Sequence, residues 1–283
     1  MKLSHNILIV GSDSLIGSTL YSSLKNSNFF TVYGTSRQKH EKKNIFYLDL
    51  LEENSWNILK IKFDIIILCT GISKINICEK YPNDTKNINV FQLVKFLHFI
   101  NAINSHIIYL STSYVFNGVK SGYTVNDDPD PNTEYGKQKF ELENILANSF
   151  KKYTILRLTK VLYPDFELFK NWFNTLKNNN QIFPYSNLNF APVFLNKVVN
   201  VINTIVDSNL YGIYHYSGVE DISYYDAAII LGKIWNFDIS NIVTTNLVNN
   251  AFPNYSSLTN SKEFNCFTEE YSLSFYQNFK YSN

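Results

Sequence analysis

The chain has 283 residues, enough for one large α/β domain or two closely joined lobes around a sizeable core. Its content, 45% hydrophobic and 17% charged, marks a globular chain rather than a disordered one. The 25 basic and 24 acidic residues are dispersed and leave a formal net charge of +1, so no basic block calls for nucleic acid and no cationic face for an anionic membrane.

The N-terminal MKLSHNILIVG meets a glycine after a short apolar run, so a first strand is expected there rather than a signal peptide. That strand covers residues 6–10, and after Gly11-Ser-Asp-Ser-Leu-Ile-Gly17 a helix runs to about residue 24. A second strand over 30–34 ends in Thr35-Ser36-Arg37, a third over 45–48 ends at Asp49, and a very apolar fourth covers 63–69. Apolar spacing at Ile88, Phe91, Val94, Leu97, Ile100 and Ile103 predicts one long helix over 84–103. A fifth strand over 107–110 ends in the hydroxyl cluster Ser111, Thr112 and Ser113. Beyond a Pro-punctuated loop, a helix carries Tyr135 and Lys139 and continues to about residue 147, and a sixth strand follows over 153–158. Helices are predicted over 166–176, 195–206 and 223–235, the last capped by Ser223 with Asp226 in its first turn, and a strand over 212–217. No apolar run reaches bilayer-spanning length.

Strands alternating with helices predict an α/β fold, a Rossmann-type doubly wound parallel sheet over 1–160 with a smaller C-terminal substrate lobe over 161–283. Segments around 195–217 are expected to return to the sheet domain. Cys69, Cys78 and Cys266 are odd in number and lack metal-type spacing, so reduced thiols in a cytoplasmic protein are expected. His5, His40, His98, His106 and His215 form no metal-like cluster, and no metal is expected.

The glycine turn lies between a first strand and a first helix, where a dinucleotide pyrophosphate meets helix N-terminal amides. Gly11, Ser14, Leu15, Ile16 and Gly17 are the expected cradle, a purely structural turn being the alternative. An acidic residue ending the second strand would accept the ribose hydroxyls of NAD. Arg37 there suits a 2′-phosphate instead, with Ser36 as a second ligand, so NADPH is the preferred cofactor and NADH the alternative. A solvated surface arginine is the competing reading. Asp49 and Leu50 are expected near the adenine and Gly71 beside the cofactor backbone, although each also suits an ordinary turn.

The i, i+4 spacing places Tyr135 and Lys139 on one helix face, opposite the strand that ends in Thr112. A free phenol titrates near pH ~10, so a proton-donating tyrosine needs a neighbouring cation, which Lys139 is placed to supply. Thr112 would hydrogen-bond a carbonyl oxygen as charge develops on it. Together they provide what reduction of a carbonyl requires besides a hydride.

In this order and spacing the motifs resemble those of the dTDP-4-dehydrorhamnose reductase family, a branch of the extended short-chain dehydrogenases/reductases. The blocks are the glycine turn, Thr35-Ser36-Arg37, Cys78-Glu79-Lys-Tyr-Pro82 with Ile88-Asn89, and Ser111-Thr112-Ser113-Tyr114-Val115-Phe116-Asn117-Gly118. Pro131, Tyr135, Gly136, Lys139 and Glu143 follow, then the strand with Arg157 and the Gly212-Ile-Tyr-His-Tyr-Ser-Gly218 element. The resemblance implies Thr112, Tyr135 and Lys139 as the catalytic trio, with Tyr135 and Lys139 also touching the cofactor, and Ser73, Ser113, Tyr114 and Arg157 on the substrate side, Arg157 reaching a diphosphate or, equally in keeping with its place in a strand, making a structural hydrogen bond. The implied reaction is NADPH-dependent reduction of the 4-keto group of a nucleotide-linked 6-deoxysugar for surface polysaccharide precursors, with a homodimer left open. The rivals are a nucleotide-sugar epimerase or dehydratase with tightly bound NAD(P), and a non-catalytic NADP-binding regulatory subunit. The chain departs from the family pattern at Ser14 for a glycine, Ser113 and Asn117 for aspartates, Leu68 for an asparagine, Ile72-Ser73 for a Tyr-Thr pair, and Lys197 for an acidic residue. In the C-terminal lobe Phe166, Phe169, Trp172, Phe173 and Phe190 are expected mainly in the core, with stacking on a base or hexose as the alternative.

Overall fold

Alternate residues of the first strand bury in opposite directions, Ile7 and Ile9 to one side and Leu8 and Val10 to the other, which marks a strand covered on both faces. The computed structural model describes residues 5–27, 29–39, 43–58, 61–248, 252–267 and 276–281. In chain order the first half contains β1 (His5–Val10), α1 (Leu15–Leu24), β2 (Phe30–Ser36), β3 (Ile45–Tyr47), β4 (Ile65–Leu68), α2 (Ile75–Lys80), α3 (Pro82–Lys86), α4 (Leu93–Phe99) and β5 (His106–Thr112). The second half contains α5 (Glu134–Ser149), β6 (Tyr153–Leu158), β7 (Lys160–Leu162), α6 (Glu167–Lys177), β8 (Asn189–Phe190), β9 (Pro192–Phe194), α7 (Leu195–Ser208), β10 (Gly212–Tyr216), β11 (Ile222–Ser223) and α8 (Tyr224–Ile234).

A seven-stranded sheet runs β10-β6-β5-β4-β1-β2-β3 with all neighbours parallel. One face packs on α1 and α7 through Leu20, Leu24, Val198, Ile202 and Ile205, and the other on α4 and α5 through Leu93, Phe96, Leu97, Leu142 and Leu146. This is the predicted doubly wound Rossmann-type sheet. The strand order reverses between β1 and β4, and ligands in such sheets sit beyond the carboxyl ends of the strands at that point. A separate core of Phe169, Trp172, Phe173, Ala227, Leu231, Trp235 and Phe279 holds the C-terminal lobe together. No helix among the described residues is long and apolar enough to cross a membrane.

The structure corrects several predicted elements. The single helix over 84–103 begins earlier, with Pro82 at its first position, and is interrupted by a π turn, Asn87–Gln92, before α4. That wider turn brings Asn89 inward, where its amide accepts from Ile72 N at 2.7 Å and donates to Ile72 O at 3.0 Å and to Gln138 Oε1 at 2.8 Å. The helix stops at residue 99, ahead of Asn101 with φ +54°. Helix α2 and the short strands β7, β8, β9 and β11 were not predicted. Strand β5 continues through Ser111 and Thr112, which pair with Arg157 and Leu158 of β6, so the hydroxyl cluster begins inside the sheet. Ser223 caps α8 as expected, accepting from Asp226 N at 2.9 Å while its own hydroxyl donates to Asp226 Oδ2.

Candidate active site

Two adjoining clefts open at the carboxyl ends of the strands. The first, about 310 Å³, is bounded by the glycine turn, the end of β2 and the stretch after β3. A Cβ at Gly17 would lie 2.2 Å from the Gly11 carbonyl oxygen, so only glycine lets α1 approach the turn this closely. Ser14 caps the helix by accepting from Gly17 N, and its hydroxyl donates to Gly11 O at 2.8 Å. Leu15 and Ile16 form the first turn of α1, where backbone amides have no partner within the helix, and both line the adjoining second cleft.

Arg37, Asp49, Leu50 and Gly71 all line this cleft. Arg37 is exposed. Ser36 lines the cleft too, its hydroxyl donating to Asp13 Oδ2 at 2.8 Å and accepting from Gln38 N at 2.9 Å. Asp13, which the sequence did not single out, therefore brings a carboxylate into the same cleft as Arg37. Asp49 orders the turn, its carboxylate accepting from Leu51 N at 2.9 Å. A glycine turn without room for a Cβ, a helix N-terminus behind it and a rim arginine fit the diphosphate and ribose of a dinucleotide.

The second cleft, about 450 Å³, shares Ser14, Cys69, Thr70, Gly71 and Ile72 with the first. It brings Thr112, Tyr135 and Lys139 together with Ser73, Ser113 and Tyr114. Thr133 caps α5 by accepting from Gly136 N at 3.0 Å, which sets Tyr135 in the first turn. A Cβ at Gly136 would come 2.1 Å from the Tyr114 carbonyl oxygen, so the helix start presses directly on the loop behind Thr112. Thr112 Oγ1 accepts from Tyr114 N at 3.2 Å, which leaves its own proton to donate.

Burial pushes the Tyr135 phenol well above the usual tyrosine range, and a hydrogen bond with Thr112 pulls the other way. Burial likewise lowers Lys139 to about 8, the Glu143 carboxylate opposing the shift. The Lys139 ammonium donates to Leu110 O at 2.9 Å and lies 4.6 Å from the Tyr109 ring centroid and 5.8 Å from that of Tyr135. The ammonium thus sits between the β5 backbone and the two tyrosine rings.

Arg157 is not brought to the cleft. It is 2% exposed and grips Glu143 through Nη2 at 2.7 Å and Nε at 3.1 Å, with Phe116 stacked at 5.1 Å. His215 completes the cluster, its ring nitrogens facing Arg157 Nη1 at 3.3 Å and Tyr123 O at 3.2 Å. Phe169, Trp172, Phe173 and Phe190 are buried core, Phe190 also bordering the cleft, and the partly buried Phe166 lines it with Tyr163, Asn189 and Tyr224. Lys160, absent from the sequence prediction, lines the same end. Among the described residues no group of three or more His, Cys, Asp or Glu is arranged for a metal ion.

A family model described as the RmlD substrate binding domain matches residues 5–272. Methionine adenosyltransferase 2 subunit beta from Mus musculus is 26% identical over 255 residues, 84% of this chain and 75% of that one. A dTDP-4-dehydrorhamnose reductase from Aggregatibacter actinomycetemcomitans is 28% identical over 179 residues, 60% of each chain. Among solved structures, dTDP-4-dehydrorhamnose reductase from Bacillus anthracis in complex with NADP superposes with a TM-score of 0.81 at 21% identity, covering 98% of both chains. UDP-glucose 4-epimerase from Thermotoga maritima with UDP-glucose gives 0.80 at 17% identity, covering 97% of this chain and 96% of that one. At these identities the two superpositions speak for the fold.

Proposed function

The chain belongs to the RmlD substrate binding domain family, within the extended short-chain dehydrogenases/reductases, and on that premise we propose that it is an NADPH-dependent reductase of the 4-keto group of a nucleotide-linked sugar. One observation carries the reading: Thr112, Tyr135 and Lys139 line a single cleft that opens directly onto the glycine turn. The Leu15 and Ile16 amides would hold the cofactor diphosphate, Arg37 a 2′-phosphate, and Lys139 the hydroxyls of the nicotinamide ribose. The bound cofactor supplies a hydride to the carbonyl carbon. Thr112 donates a hydrogen bond to the carbonyl oxygen and stabilises the charge that grows there. Tyr135 gives that oxygen its proton, so the ketone gains one C–H and one O–H bond and the phenol is left to recover a proton from water. Ser73, Ser113 and Tyr114 would contact the sugar, and the product would serve surface polysaccharide precursors.

The test is NADPH oxidation against dTDP-, UDP- and GDP-linked 4-keto sugars. Tyr135→Phe is expected to bind NADPH as the wild type does and to lose roughly 10²–10⁴-fold in turnover; unchanged turnover removes Tyr135 from the chemistry. Stoichiometric NADPH consumption separates reduction from epimerisation, which recycles its cofactor. A second reading, a non-catalytic NADP-binding regulatory subunit, draws on the likeness to methionine adenosyltransferase 2 subunit beta. It predicts cofactor binding with no substrate-dependent NADPH consumption anywhere in the panel.

A further inference from the structure

Lys160 is the one charged side chain of the second cleft that the proposed chemistry leaves unused. It opens β7 immediately after β6 leaves the sheet and is held in register against Pro192 of β9. Its ammonium lies 5.3 Å from the Phe166 ring centroid, and the side chain is exposed to the cleft. No carboxylate among the described residues pairs with it. The lining of this cleft contains two lysines, Lys139 and Lys160, and no aspartate or glutamate.

A surface lysine of this length is ordinarily solvated or paired, with its stem on apolar surface. Lys160 is instead partly stripped of water by the cleft walls, which lowers its pKa with no carboxylate to offset the shift. The lining of the same cleft also carries the hydrogen-bonding side chains of Tyr163, Asn189, Tyr224 and Ser256. A cation among neutral donors, with no internal counter-charge, is complementary to an oxyanion.

We propose that Lys160 is an anion-binding residue of the substrate cleft, facing an oxyanion of the nucleotide sugar: its diphosphate, or a carboxylate on the sugar itself. The inference rests on the nucleotide-sugar reading of the cleft and adds to it a specific contact and a charge requirement on the ligand.

Calorimetric titration of the NADPH-loaded full chain with dTDP, UDP, UDP-glucose and UDP-glucuronic acid tests it, comparing wild type, Lys160→Gln and Lys160→Arg. Lys160→Gln is expected to weaken binding about tenfold or more, Lys160→Arg to restore most of it, and both to melt like the wild type because the residue is exposed. Loss across all the nucleotides identifies the diphosphate as the partner; loss confined to UDP-glucuronic acid identifies the sugar carboxylate. Equal affinities for wild type and Lys160→Gln overturn the proposal while the nucleotide-sugar reading stands. If the wild type binds none of the four, that reading and the Lys160 proposal fall together.

Discussion

Lys139 sets the pH response of the site. Its ammonium titrates at about 8 because it is buried, against an ordinary value of 10.5, whereas Tyr135 is pushed upward. Raising the pH through about 8 therefore discharges the lysine while the phenol keeps its proton. Turnover is expected to be flat up to that pH and then to fall about tenfold per unit, and a Lys139→Met variant, slow throughout, is expected to lose the step. A pH–rate profile of both proteins checks this. Folding responds with the opposite sign: between about 8 and 10.5 the unfolded chain holds a proton on Lys139 that the native state has released, so this residue's contribution to stability rises with pH. Tyr135 and Lys139 were legible in the sequence because a helix period relates them, and Thr112 because it ends an apolar run. Lys160 and Asp13 were not, since a lone polar residue beside a turn has no periodic partner to declare its direction. Arg157 stays open in the sequence between a diphosphate contact and a structural bond for a related reason: its counter-charge Glu143 lies on the preceding helix, and only their packing shows that the pair is satisfied internally.

At the scale of elements, the contact between α5 and the loop after β5 decides where the phenol stands. Alanine normally favours a helix over glycine by about 1 kcal/mol. At Gly136 that preference is reversed, because the added Cβ would sit 2.1 Å from a backbone oxygen that has no free rotation to escape. Gly136→Ala is expected to lift the first turn of α5 from Tyr114, displace Tyr135 and lower kcat by about tenfold to a hundredfold. Steady-state kinetics beside a thermal melt checks it, and a variant that keeps full kcat shows that the turn tolerates the displacement. The long strands and helices could be read from alternation and helical spacing. Strands of two or three residues such as β8 and β11 could not, because their pairing exists only after the lobe folds onto itself. Nor could the π turn, whose wider winding follows from the demand for Asn89 at residue 72 rather than from any local preference.

At the scale of the whole molecule, the Glu143–Arg157 pair joins a covering helix to the sheet, and His215 extends the cluster through edge strand β10 to the segment at Tyr123. Both charges are 2% exposed, so removing one strands the other in a medium that solvates it poorly. Arg157→Ala is expected to destabilise the protein by about 3–5 kcal/mol, measured by urea unfolding, and to leave the affinity of the folded protein for nucleotide sugars largely unchanged. Wild-type stability with lost nucleotide-sugar binding would return Arg157 to the substrate side. Further along, backbone 69–72 borders both clefts, and the Asn89 amide pins it in place. That strip is a party wall: remodelling it to enlarge one chamber reshapes its neighbour. On the proposed reading, a substitution in 69–72 is expected to shift preference among dinucleotides and preference among sugars at once, not as two dials turned separately.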